Sequence, residues 1–483
     1  SRGLGDVYKR QVNEMMIPLS HDEKTPLYQQ IYDHIRIEIM DGKIPQGEKL
    51  PSTRFLSSHL QVSRSTVELA YEQLVSEGYI EAQPYRGYYV SDVSDLLDLK
   101  ENSRQPKEEE PKHAKNRTLE THIDFSPFAV DVEHFSFNAW RKVNKNLLST
   151  DNADLLTAGD GAGEPEFREE ICNYLYQSRG VICEASQIIV GAGNEYLLML
   201  LSQILGADRR VAMESPTYVQ AYETFLNLGY QVCAVEMDAQ GIRMEQLRSE
   251  QADIAYVMPS HQFPMGTVMP MKRRMELLKW AAEDEDRYLI EDDHDSEFRY
   301  KGKPIPSLQG SDQNEKVIYL GTFSKSIAPA VRVSYLVLPK KLLKVYTEKC
   351  GFYASTVPKI QQMTICNFMK EGYFERHLNR MRSSYKKKHD FLMEEIKKRK
   401  WIRKVYGDNA GLHVIAEIES HFSDEELTKL AQGIGIRIYP ISEYYIDKNK
   451  VPEYPAILLG YGGLTEKEIE QGFRELDKIM LFF

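Results

Sequence analysis

Only five of the 483 residues are cysteine (Cys172, Cys183, Cys233, Cys350 and Cys366), an odd number with no CxxC pair. That argues against a disulfide framework and against a thiolate zinc site, and for reduced thiols in a cytoplasm. Long apolar runs are missing too. None reaches the length of a bilayer span, and the N-terminus lacks the apolar stretch of a signal peptide, so a cytoplasmic protein is expected. Excess positive charge is absent: the formal net charge is −11, so any contact with DNA must come from a few well-placed cations. What remains is an ordinary globular composition, 42% hydrophobic and 28% charged, in a chain long enough for roughly two to four domains.

Residues 1–24 read as a disordered tail. SRGLGDVYKRQ (1–11) has no period and looks like a remnant, with a natural start expected at Met15 or Met16. Folded sequence is expected from Thr25. Residues 93–122 read as a charged, flexible linker: the pattern fades from Ser91, and 101–122, ENSRQPKEEEPKHAKNRTLETH, offers only Ala114 and Leu119 as apolar side chains besides proline, too little to offset the entropy of ordering. From 123 to 483 apolar runs alternate with amphipathic helical stretches, the pattern of an α/β fold.

Between the tail and the linker, residues 25–92 have the marks of a small DNA-binding module. Thr25-Pro26 offers a hydroxyl N-cap and a proline at the first helical position. Leu27, Ile31, Ile35 and Ile39 then form one stripe, which Gly42 ends. In LPSTRFLSSHLQVSRSTVELAYEQLVSEGYI (50–80), Ser52 caps a helix through Leu60, Gln61–Ser63 turns, and Ser63 caps a second helix ended by Gly78. Two helices around a three-residue turn make a helix-turn-helix. Tyr79–Ala82 and Tyr88–Val90 read as two strands around Pro84-Tyr85-Arg86-Gly87, a wing. Arg64, Ser65 and Thr66 lie at the start of the second helix, the part that enters a major groove, with Arg54 before it and Arg86 on the wing. Residues 25–90 nevertheless hold six Lys/Arg against eight Asp/Glu, so a protein–protein module stays open.

Five segments of the large region read as strands with polar exits: QIIVGAG (187–193), the strand ending MESPTY (213–218), DIAYVMPSHQFPMG (253–266), RYLIEDDHDSEF (287–298) and KVIYLGTFSK (316–325). Open α/β sheets bind ligands beyond the carboxyl ends of their strands. One cofactor accounts for these parts together, pyridoxal 5'-phosphate. It needs an amine, an acid for the pyridine nitrogen, a donor to the phenolic oxygen, a ring stacker and a phosphate cup. Lys325, in the hydroxyl-rich turn GTFSKSIAPAVR, supplies the amine. Asp292 is the acid, Tyr218 the stacker, and Gly193, Asn194, Thr322, Ser324 and Arg332 the cup. His294 and Gln262 join the cofactor-binding set. The bunched acids of EDDHDSEF admit a divalent metal instead, but a metal explains neither Lys325 nor Arg332.

The two halves carry a specific resemblance. LPSTRFLSSHLQVSRSTV, AYEQLVSEGYI and the RG of YRGYYV resemble the GntR-type winged helix, which implies operator contacts by Arg54, Arg64, Ser65 and Thr66 and a wing turn at Gly87; Ser63 and Arg86 join them in the DNA-binding set. RGVICEASQIIVGAGNEYLLMLLSQIL, ESPTY, PSHQFPMG, IEDDHDSEFRY and YLGTFSKSIAPAVRVSYLVLP resemble fold-type I aminotransferases. The whole chain from Thr25 resembles the MocR/GabR family of bacterial regulators. The resemblance implies a mainly parallel sheet with a smaller C-terminal α/β subdomain, a pyridoxal phosphate aldimine on Lys325, an amine or amino-acid effector, and an operator with two half-sites. It also implies a domain-swapped, head-to-tail homodimer.

Three departures stand out. His294 replaces the family's tyrosine; by the resemblance it can still donate to the cofactor's phenolic oxygen, but it can change charge near neutral pH. AGDGAG (158–163) replaces YGDPAG. The strand PAILLGYGGL (455–464) lacks the arginine that grips a substrate carboxylate, while IRIYPISEYY (436–445) offers Arg437 but has Glu443 where a GABA-sensing relative has arginine. Three readings follow: a regulator sensing an amine or amino acid, a working aminotransferase with an accessory domain, and a regulator sensing pyridoxal phosphate itself.

Overall fold

A computed structural model of the chain describes residues 17–20, 25–92, 122–300 and 305–480. The expected linker, but for His122, and most of the expected tail lie outside these residues. The chain divides into two compact units, 1–116 and 117–483.

In the first unit α1 (Leu27–Met40), α2 (Thr53–Leu60) and α3 (Arg64–Ser76) are followed by β1 (Ile80–Gln83) and β2 (Gly87–Val90), antiparallel with Ile80 opposite Val90. Ile31, Ile35 and Ile39 of α1 meet Leu56, Val67, Ala70 and Leu74 in one buried core. The caps are local chemistry. Ser52 Oγ accepts from Phe55 N at 3.2 Å and Ser63 Oγ from Thr66 N at 3.2 Å, with Gln61 in the left-handed region between them. Each satisfies a helix-end N–H that has no intrahelical partner. Thr25 does not act as the cap: Pro26 stands at that position without a side-chain bond. Thr25 instead offers its carbonyl to Gln30 Nε2 at 2.8 Å. Packing also reaches upstream of Thr25. Ile17 is buried in the module's core, and Gln30 exchanges two 2.9 Å hydrogen bonds with the Ser20 backbone, a contact between distant segments that no local period announces.

In the second unit β3 (Ile123–Asp124) precedes β4 (Ile188–Gly191), β5 (Arg210–Ser215), β6 (Gln231–Asp238), β7 (Gly241–Ile242), β8 (Ile254–Val257), β9 (Tyr288–Asp293), β10 (Val317–Thr322) and β11 (Ser334–Val337). Strands β4 to β11 form one sheet in the order β4-β11-β10-β9-β8-β5-β6-β7. The run from β10 to β6 is parallel; β10, β9, β8 and β5 are buried on both faces and carry apolar runs rather than alternating ones, whereas β6 at the margin buries only alternate residues. Strand β11 is antiparallel to both neighbours, so β4 regains the common direction, and Gly191, Ser334 and Thr322 stand level. The carboxyl ends of β4, β5, β8, β9 and β10 therefore share one edge.

A smaller sheet of β12 (Ile402–Tyr406), β13 (His413–Ile418), β15 (Tyr439–Pro440) and β16 (Ala456–Gly460) runs in the order β12-β13-β16-β15. The remaining strand, β14 (Ile436–Arg437), pairs with β3. The architecture is the expected one: a winged helix and a mainly parallel α/β domain with a smaller C-terminal sheet.

Candidate functional site

Most of the polar strand exits converge on a cavity of about 260 Å³ lined by Asn194, Tyr218, Asp292, His294, Thr322, Ser324, Lys325 and Arg332. Lys325 follows β10. Its Nζ donates to the Pro127 carbonyl at 2.8 Å and lies 5.3 Å from the Phe128 ring centre. Burial pushes the ammonium down to about 8, against a smaller upward pull from Asp295, so a usable fraction is the neutral nucleophile near pH 7.

Period-two geometry sorts the acids of β9. Glu291 and Asp293 point to one face, where Glu291 accepts from Leu308 N and Gln309 N, and Asp293 meets Arg179 at 2.7 Å and Tyr319 Oη at 2.5 Å. Asp292 points to the other, into the cavity. The acids are therefore not one metal cluster. Tyr256 donates a short hydrogen bond to Asp292 Oδ2, while Oδ1 is buried with no partner. Burial, with Asp293, Asp295 and Glu195 nearby, pushes this carboxyl up to about 7 despite the Tyr256 bond. An orphaned buried carboxylate oxygen is costly and fits a ligand that brings a proton to it.

The phosphate end is built from three segments. Asn194 opens the helix Asn194–Leu205, and its Oδ1 is buried and unpartnered. Thr322 Oγ1 is linked to Ser324 Oγ at 3.1 Å and Ser334 Oγ at 2.9 Å. Arg332 is exposed, in the left-handed region, and pairs with Glu195 at 2.9 Å. Gly193 stays behind this wall. At φ +100° a Cβ there would lie 2.3 Å from Arg332 Nη2, so the residue has to be glycine for the arginine to lie across the helix start.

Besides Gly193, which the sequence reading put in the phosphate cup and which does not line the cavity, two residues differ from that reading. Gln262 does not line the cavity: its amide donates to the Pro216 carbonyl at 2.8 Å and accepts from Met265 N at 3.0 Å, tying two loops together. His294 does line it, but burial lowers its pKa, so the ring is neutral at pH 7 rather than poised to switch. Among residues the sequence did not single out, Phe128, Phe263, Asp295, Ser334 and His413 complete the wall, with His261 buried beside it. His261 Nδ1 lies 2.9 Å from Asp295 Oδ1. Burial alone would raise the Asp295 carboxyl, but the His261 and His294 rings outweigh it and hold it far below the usual range. Ligand atoms of His261, His294 and Asp295 lie within 4.8 Å of one another, a set that could hold a metal ion. The histidines come from separate segments, so no spacing rule reveals the set.

Arg437 does not reach the cavity. Its side chain is 60% exposed, 3.9 Å from Asp124 and stacked over Tyr439, and β16 is buried and apolar throughout.

On the winged helix, Arg54, Ser63, Arg64, Ser65 and Arg86 are exposed and Thr66 partly so. Ser63 Oγ lies 2.8 Å from Ser65 Oγ and 2.7 Å from Thr66 Oγ1, so these hydroxyls order the start of α3. Arg64 Nε is held by Glu68 at 2.8 Å. Gly87, at φ +109°, sits against Lys49 Cε, and the Lys49–Tyr89 bridge braces the wing.

Residues 27–90 match the family described as bacterial regulatory proteins, gntR family, and residues 127–473 match aminotransferase class I and II. The chain is 40% identical to YdeL, an HTH-type transcriptional regulator of Bacillus subtilis, covering 93% of this chain and 96% of the relative. It is 30% identical to the probable rhizopine catabolism regulatory protein MocR of Rhizobium meliloti, covering 96% of each. In structure it is similar to an archaeal alanine:glyoxylate aminotransferase, with a TM-score of 0.68 and 24% identity, covering 74% of this chain and 91% of that one. That likeness shows the fold alone.

Proposed function

Because the chain belongs to the MocR/GabR-type family, in which a GntR-type helix-turn-helix and a class I/II aminotransferase-like domain share one polypeptide, we propose that it is a transcription regulator that binds operator DNA through α3 and the wing, and holds pyridoxal 5'-phosphate at Lys325 to read an amine effector. The observation that carries this reading is the pairing of Lys325, a buried amine lowered to about 8, with Asp292, whose free oxygen faces the same cavity. Aminotransferases of class I and II are a pyridoxal phosphate-dependent fold family, and the donors present suit that group.

Asn194, Thr322, Ser324 and Arg332 would hold the phosphate, with Arg332 leaving Glu195. Asp292 would hold a proton between its Oδ1 and the pyridine nitrogen. Tyr218 would stack on the ring, braced by Phe263, which meets it edge to face with centroids 6.0 Å apart, and neutral His294 would approach the phenolic oxygen. When bound, the cofactor supplies a carbonyl carbon for which Lys325 and a primary amine compete. A ligand can shift the DNA-binding state only by binding two arrangements with different affinity. The effector thus acts by displacing Lys325, and a dimer with two α3 helices requires an operator with two half-sites.

The test is spectral. Protein loaded with the cofactor should show a visible band that borohydride fixes covalently to Lys325, that candidate amines shift, and whose shift changes operator affinity. Retention of the fixed adduct in Lys325→Ala would refute the assignment, and steady release of keto acid would favour a working aminotransferase.

A further inference from the structure

Away from the cavity, two of the five cysteines meet. Cys172 lies on the helix Pro165–Arg179, and Cys183 lies in the segment leading into β4. Gly180 ends the helix in the left-handed conformation, and Gly180 N and Val181 N bond back to Tyr176 and Leu175 carbonyls. This reversal folds the chain onto its own helix and sets the Cys183 thiol 3.8 Å from Cys172 Sγ. Cys172 also donates to the Cys183 carbonyl at 3.1 Å. Both residues are half-buried, whereas Cys233, Cys350 and Cys366 are buried.

We propose that Cys172 and Cys183 form an oxidisable dithiol, a modification site that low-molecular-weight disulfides convert to an intrachain disulfide. The sulfurs must close from 3.8 Å to about 2.05 Å. Rotation of one cysteine side chain between staggered wells moves its sulfur by roughly 3 Å, so the backbone can stay in place. It is held on both sides: Ile182 exchanges hydrogen bonds of 2.9 and 2.8 Å with the Gln309 side chain, and Glu184 pairs with Lys340 at 2.7 Å.

The chemistry is two exchanges in sequence. The Cys172 thiolate attacks one sulfur of the reagent disulfide, forming a mixed disulfide and releasing one thiolate. The Cys183 thiolate then attacks Cys172 Sγ, forming the protein disulfide and releasing the second thiolate. The protein loses two protons and two electrons, and the reagent is reduced to two thiols. Burial, and next the neighbouring Cys172, push the Cys183 thiol up, so its attack is slow at neutral pH and quickens as pH rises. A link there ties the helix to the segment that feeds β4, whose exit turn carries Gly193 and Asn194. It needs neither cofactor nor DNA.

The experiment uses the full chain, native, with oxidised glutathione. Non-reducing peptide mapping should show a loss of two hydrogens and a peptide joining Cys172 to Cys183, with Cys233, Cys350 and Cys366 still free and the link reversed by dithiothreitol. In Cys183→Ser the reaction should stop at a glutathione adduct on Cys172. A wild-type protein that carries glutathione without a link, links other cysteines, or does not react would overturn the proposal. The wild-type map decides even if the variant does not fold.

Discussion

Lys325 should cost the cofactor-free protein stability, by an amount that depends on pH. Its pKa falls from the usual 10.5 to about 8 in the folded chain. Below pH 8 the amine is protonated folded and unfolded, and the folded state bears the whole penalty of a poorly solvated charge. Between 8 and 10.5 the unfolded chain holds a proton that the folded one has released, so stability rises with pH. Above 10.5 both forms are neutral and the penalty is gone. The drop of 2.5 (10.5 − 8) corresponds to about 3 kcal/mol. The side chain is partly open to the cavity, whose water screens some of this, and removing Nζ leaves the Pro127 carbonyl without its donor, a loss of about 1 kcal/mol. Lys325→Met in the cofactor-free protein should therefore be more stable than wild type by roughly 1–2 kcal/mol at pH 7. Urea unfolding of the large unit, followed at pH 7 and at steps to pH 10.5, measures it. The gap should shrink as pH rises from 8. A variant less stable at pH 7, or a gap independent of pH, would refute the argument.

Three further outcomes follow from particular contacts. Arg64→Ala should weaken operator binding and reduce its salt slope by about one, leaving the cofactor spectrum unchanged; unaltered affinity would favour a protein–protein role for the winged helix. Glu195→Gln removes the partner that holds Arg332 at 2.9 Å, so pyridoxal phosphate should bind a few-fold more tightly in a spectral titration, by about 0.5–1 kcal/mol for an exposed pair; weaker binding would mean that Glu195 orders the phosphate end instead. Gln262→Ala should lower thermal stability by about 1–3 kcal/mol through its two lost loop ties, without moving the visible band; a shifted band would return Gln262 to the ring.

The local features of this chain were legible without its structure because they depend on neighbours in sequence. Ser52 and Ser63 announce the two helices they cap, the glycines after α1 and α3 mark their ends, and the apolar runs that open β9 and β10 follow from burial on both faces. Lys325 and Asp292 could be picked out because each ends such a run. What the sequence left undecided depends on which distant segments pack together. Gln262 looked like a ligand-facing side chain until the fold turned it toward Pro216 and Met265. His294 carried a residue type able to titrate near neutrality, but its protonation is set by how completely other segments bury it. The Asp295–His261 pair, the Ser334 hydroxyl behind Thr322 and the approach of Cys172 to Cys183 are contacts across loops and strands. Periodicity records which face of an element is buried, not what is buried against it, so only the tertiary structure could decide them.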